Sequence, residues 1–136
     1  MKQKILIVEF DMFLAGIYAQ QLEQEGFDVS FATNGNDGLK LAEKDRPDLV
    51  LLGLRLQPHG MDGFELLTKL KADATLAHIP VLVLTNLAQK EDVERCQKLG
   101  CAGYLIKAHT MPSEAVRKIK ELLHGGYDNF TDEVQL

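Results

Sequence analysis

Short apolar runs rich in β-branched residues recur along the chain: Ile5-Leu6-Ile7-Val8, Leu49-Val50-Leu51-Leu52, Val81-Leu82-Val83-Leu84 and Tyr104-Leu105-Ile106. Continuous runs of this length suit strands buried on both faces, as in a parallel sheet. Val29 and Phe31 mark a weaker strand between the first two. Amphipathic stretches separate the runs. Residues 12 to 25 place Leu14, Tyr18 and Leu22 four apart, and Gly26 predicts the helix end. Asn34 predicts the cap of a second helix running to about Lys44, with Pro47 beyond it. Phe64, Leu67 and Leu70 stripe residues 62 to 72; Val93, Cys96 and Leu99 stripe residues 88 to 99, which stop at Gly100. Thr110 is the expected cap of a last helix with Pro112 in its first turn and Val116, Ile119 and Leu123 inward.

This is five βα units in a row. Right-handed crossovers place helices on both faces of a five-stranded parallel sheet. Functional residues in such a sheet follow the carboxyl ends of the strands. Here those are Glu9 to Asp11, Gly53 to Gly60, Thr85 to Leu87 and Lys107 to His109.

The length, 136 residues, fits one domain with its own core, read as residues 1–124, followed by an acidic tail at 125–136 expected to be flexible. A net charge of −5 argues against a general nucleic-acid binder. No apolar run approaches the span of a membrane and no signal-peptide core is present, so a cytoplasmic location is expected. Two cysteines, Cys96 and Cys101, make no disulfide framework and read as reduced, partly buried thiols. His59, His78, His109 and His124 lack metal-ligand spacing, and neither a catalytic triad nor a phosphate-binding glycine loop is recognisable.

At the strand ends the sequence resembles the receiver domains of two-component response regulators. Lys4-Ile-Leu-Ile-Val-Glu9 matches the first strand with its acid, and Pro47-Asp-Leu-Val-Leu-Leu52 the third strand. Met61-Asp-Gly-Phe-Glu-Leu66 matches the entry to the third helix. Ile79-Pro-Val-Leu-Val-Leu-Thr85 and Gly100-Cys-Ala-Gly-Tyr-Leu-Ile-Lys107 match the fourth and fifth strands. The resemblance spans roughly residues 3 to 124. It implies an α/β fold, a flavodoxin-like three-layer αβα sandwich with strand order 2-1-3-4-5 and five helices.

The resemblance also implies a chemistry. An aspartate ending the third strand accepts a phosphoryl group. Magnesium is held by that aspartate and an acidic pair after the first strand. A lysine and a threonine hold the phosphoryl oxygens. The threonine moves toward them, and the aromatic on the fifth strand turns inward behind it.

This sequence departs from that pattern. Gly53 stands at the acceptor position, Phe10 at the principal metal-binding position, with Asp11 following, and Ala108 where a proline, typically in a cis bond, is usual. The loop Gln57-Pro-His-Gly60 is longer than usual. Thr85, Tyr104 and Lys107 remain. The magnesium site is expected to be lost and no other cofactor is implied.

Each residue carries two readings. Glu9 and Asp11 are a remnant metal site, or Glu9 pairs with Lys107 while Asp11 caps the first helix. Phe10 anchors a partner, or fills the emptied pocket, the reading preferred here. Lys107 binds phosphate or is a structural lysine. Thr85 and Tyr104 are switch residues or plain packing.

Three functions compete. The favoured one is a degenerate receiver, not an enzyme, acting as a phosphorylation-independent interaction module for a sensor kinase, another regulator or an output protein. It would be a monomer, or a weak homodimer through the face of the fourth helix, fifth strand and fifth helix, where Arg95 and Lys118 are the expected exposed probes. The others are a phosphorelay receiver using Asp11 or Asp62 as acceptor, and a flavodoxin-like protein binding a small molecule in the emptied pocket.

Overall fold

The computed structural model describes residues 2–56, 60–87 and 89–124. Five strands, β1 (Lys4–Val8), β2 (Asp28–Ala32), β3 (Leu49–Leu52), β4 (Val81–Thr85) and β5 (Gly103–Ile106), alternate with five helices. These are α1 (Met12–Gln24), α2 (Gly35–Asp45), α3 (Gly63–Ala72), α4 (Lys90–Leu99) and α5 (Pro112–Leu123). All strand pairs are parallel and the order is β2-β1-β3-β4-β5.

The strands read as continuous apolar runs because both faces are covered. Even-numbered Leu6, Val8, Val50 and Leu52 face a core closed by α2, α3 and α4, while Ile5, Ile7, Leu49 and Leu51 face one closed by α1 and α5. Each fully buried aliphatic side chain contributes about 1.5–3 kcal/mol over exposure. β2 lies at the sheet edge, so Val29 is only half-buried and Phe31 is exposed.

Helix ends follow local chemistry. Asp11 Oδ1 accepts the amides of Phe13 and Leu14 at 3.0 and 3.2 Å, and Asn34 accepts that of Asp37 at 2.8 Å. Gly100, at φ +99°, ends α4 in the left-handed conformation that glycine adopts without penalty. One expectation is corrected: the cap of α5 is Met111, not Thr110. Glu114 Oε1 accepts the Met111 amide at 3.0 Å, and Pro112 occupies the first helical position, so the helix starts without the threonine hydroxyl. Leu122 is fully buried on α5, and Leu123 only partly. Lys118, expected on the surface, is 6% exposed, its stem covered on the inner side of α5. The expected tail at 125–136, His59 and most of the loop at 57–60 lie outside the described residues.

Candidate functional site at the strand ends

The carboxyl ends of β1, β3, β4 and β5 bring the expected residues to one edge of the sheet. Glu9 follows β1 and is 6% exposed. Its backbone continues the ladder, the Glu9 amide donating to the Ala32 carbonyl at 3.0 Å, while the Gly53 amide donates to the Val8 carbonyl at 2.8 Å. Glu9 Oε1 lies 2.8 Å from Lys107 Nζ, and Oε2 accepts the Asp11 amide at 3.1 Å. Both carboxylate oxygens are therefore engaged. A carboxylate taken this far from water needs such partners, since an unpaired buried charge costs several kcal/mol.

Gly53 is buried beside that pair. A Cβ built on it would stand 3.0 Å from Glu9 Oε1 and 3.4 Å from the Val8 carbonyl oxygen. The start of α3 packs against the same strand end. A Cβ on Gly63 would meet the Gly53 carbonyl oxygen at 2.5 Å, so a glycine is needed where helix and strand end touch. Beneath Glu9 and Gly53 is a cavity of about 10 Å³, bordered by Ala15, Tyr18 and Leu84. Burial, and then the Glu9 carboxylate, raise the Tyr18 phenol above its ordinary pKa.

Beside this pair, two side chains hold one loop residue. Thr85 Oγ1, 3% exposed as a residue, accepts the Leu87 amide at 3.3 Å, and the Tyr104 hydroxyl donates to the Leu87 carbonyl at 2.7 Å. Tyr104 is fully buried, and burial drives its phenol pKa well upward. The loop after β4 is thus clasped by Thr85 at the end of β4 and by Tyr104 of β5. Leu87 closes the strand-end stretch that the sequence marks as functional, but its part in the clasp was not legible there. Its role rests on backbone groups, which carry no side-chain signal.

The model of the response regulator receiver domain matches residues 5–120. The chain belongs to the response regulator receiver family. This receiver is 34% identical over 112 residues to the polar-differentiation response regulator DivK of Brucella anthropi, covering 82% of this chain and 89% of that one. It is 36% identical over 124 residues to the probable transcriptional regulator ycf29 of Porphyra purpurea. That match covers 91% of this chain but spans only 58% of the longer relative. Among solved structures, a CheY-like receiver domain protein from Methanospirillum hungatei superposes with a TM-score of 0.83 at 29% identity, covering 91% of this chain and 95% of that one. The receiver domain of the sensor histidine kinase PA1611 of Pseudomonas aeruginosa, solved with magnesium in its active-site cleft, superposes with a TM-score of 0.81 at 26% identity. It covers 92% of this chain and 100% of that one.

Within this receiver, Glu9, Gly53, Thr85 and Lys107 fall at the carboxyl ends of the strands as expected, while Tyr104 lies inside β5 opposite Val83, and one expectation changes. Phe10 does not fill the pocket: it is 48% exposed, because the chain turns outward from β1 to let Asp11 cap α1. Asp11 itself is exposed and spent on that cap, while Asp62 caps α3 by accepting the Glu65 amide at 2.9 Å. Met12, Phe13 and Met111 are exposed with Phe10, so four large apolar side chains follow the ends of β1 and β5. No helix among the described residues is long and apolar enough to cross a membrane.

Proposed function

We propose that this receiver is a degenerate one, a pseudo-receiver that signals by protein contacts in a fixed conformation rather than by phosphoryl transfer. The observation that carries the reading is Gly53. Where an orthodox receiver presents a carboxylate to the phosphoryl donor, this chain has no side chain, and the neighbouring Glu9 is bound to Lys107 at 2.8 Å. A magnesium ion does not fit these residues. It favours near-octahedral oxygen sites anchored by free carboxylates. Glu9 has both oxygens engaged, Asp11 is turned to the helix amides, and Phe10 supplies no ligand atom.

The competing functions fare less well. Asp11 and Asp62 would have to leave their helix caps to accept a phosphoryl group, at about 1 kcal/mol each. A cavity of about 10 Å³ holds a single water at most, which speaks against a small-molecule site at Gly53. The clasp on Leu87 supports the fixed-state reading: Tyr104 already lies inward, with its hydroxyl bonded.

The contact surface we assign is the edge formed by α4, β5 and α5, next to the clasped loop. Arg95 is not its probe, since its guanidinium stacks 4.0 Å over the Phe64 ring of α3. Lys90, Glu94 and Gln97 are exposed on the opposite side of α4 and serve instead.

The test is restoration. Gly53→Asp alone should not label with acetyl phosphate, whereas Gly53→Asp with Phe10→Asp should label, using Thr85 and Lys107 as they stand. Labelling of the unaltered protein, or equal labelling of the single and double variants, contradicts the proposal.

A further inference from the structure

β2 closes one edge of the sheet, and what its outer side offers follows from its register with β1. The Asp28 amide donates to the Gln3 carbonyl at 2.9 Å, and the Ala32 carbonyl accepts the Glu9 amide at 3.0 Å. Successive residues of a parallel strand turn their amide and carbonyl to opposite sides. Asp28, Ser30 and Ala32 therefore spend theirs on β1, while Val29 and Phe31 point theirs away from the sheet. Among the described residues, no strand but β1 pairs with β2. The other edge strand, β5, is buried at every position; β2 is buried only at Ala32.

The side chains add to this. Val29 and Phe31 stand beside Ile5 and Ile7, on the face covered by α1. The flank of α1 toward α5 carries Gln21 and Gln24, which line a groove with Val116 and Lys120. The opposite flank, toward β2, carries Met12 and Gly16, four residues apart. Met12 is exposed, and a Cβ on Gly16 would meet nothing within 4 Å. Phe31 is 45% exposed on the same side. Native edges are commonly blunted by a lysine, a proline or a bulge. Asp28-Val29-Ser30-Phe31-Ala32 has neither residue, its single charge sits at its start, and its register with β1 runs without a bulge.

The order of residues in β2 fits a strand like itself. About a two-fold axis at Ser30, an antiparallel copy sets Val29 opposite the partner's Phe31, and Phe31 opposite the partner's Val29. Outward groups then meet outward groups, and each pair exchanges both of its backbone hydrogen bonds. The same register places a β-branched side chain against an aromatic on one face, a favourable cross-strand pair. It also sets Asp28 opposite Ala32, so like charges do not oppose each other. We propose that a second copy of this chain occupies the edge: β2 pairs antiparallel with β2 of another molecule, giving a symmetric dimer with one sheet running through both. This surface is separate from the edge of α4, β5 and α5 and does not depend on that assignment. Each chain carries a net charge of −5, so repulsion opposes the pairing and salt relieves it.

The full chain is followed by sedimentation velocity over a range of concentrations, with amide hydrogen exchange on the same samples. The expected result is a monomer that dimerises near about 0.1 mM, as a small interface would, and more tightly as salt rises. Exchange at the outward amides of Val29 and Phe31 should slow with dimerisation, while the Ser30 amide, bonded to β1, changes little. Phe31→Lys should weaken dimerisation at least about tenfold, because symmetry counts the loss twice. Val29→Pro removes an outward amide without touching the ladder to β1 and should act in the same direction. Glu94→Lys, on α4, should leave dimerisation unchanged. A chain that stays monomeric to about 1 mM overturns the proposal. So does a dimer that a folded Phe31→Lys protein still forms with undiminished affinity, or one that Glu94→Lys breaks.

Discussion

The ion pair between Glu9 and Lys107 sets the character of the strand ends. The Glu9 side chain is 8% and the Lys107 side chain 23% exposed, so it is neither a surface pair nor a dry one. Removing the charge with Glu9→Gln leaves Lys107 without its counterion and weakens the bond to the Asp11 amide. The expected cost is about 1–3 kcal/mol, read as a lower midpoint in urea with an unchanged slope. An unchanged midpoint would mean that the pair contributes nothing. Tyr104→Phe removes only the hydroxyl that holds the Leu87 carbonyl. It should cost about 1 kcal/mol and speed amide hydrogen exchange in residues 85–87 while leaving α1 unaffected. The pair of Glu9 with Lys107 and the cap by Asp11 were legible in the sequence, because charged side chains at adjacent strand ends must find partners. The direction of Phe10 was not. It depends on how the backbone leaves β1, which the Asp11 cap decides and which residue type alone does not encode.

At the level of elements, caps and stripes carried most of the reading. Asn34 and Gly100 bound α2 and α4 where side-chain chemistry demands it. α5 shows the limit. Thr110 is a good capping residue, but Glu114 three positions after Met111 captures the Met111 amide and moves the start by one residue. Lys118 shows another: a long stem buries along the inner side of an amphipathic helix, so charge alone does not place a lysine on the surface. The corrected α4 edge makes a prediction. Glu94→Lys should weaken binding of a partner protein at least several-fold in a titration, while Phe13→Ser, at the start of α1, should change it little. The reverse result would move the contact surface to the apolar group at the ends of β1 and β5. Helix capping is testable separately: Asp11→Ala should cost about 1 kcal/mol, measured by thermal unfolding.

For the molecule as a whole, four buried runs, a weaker edge strand and the stripes between them were sufficient for the architecture, because a sheet covered on both faces leaves little choice of topology. The family followed from side chains at the strand ends, and the match over residues 5–120 agrees with it. What the sequence could not display is the state of the site, since the clasp on Leu87 is made to backbone groups and the approach of Gly63 to the Gly53 carbonyl is made by backbone alone. The central claim, a receiver held in one state without phosphoryl chemistry, is tested most directly by adding beryllofluoride and magnesium to the protein and following its backbone amide spectrum. The fixed-state account predicts that the amides of Gly53, Thr85, Leu87 and Tyr104 do not shift. Saturable shifts at those residues, absent with magnesium alone, would contradict it.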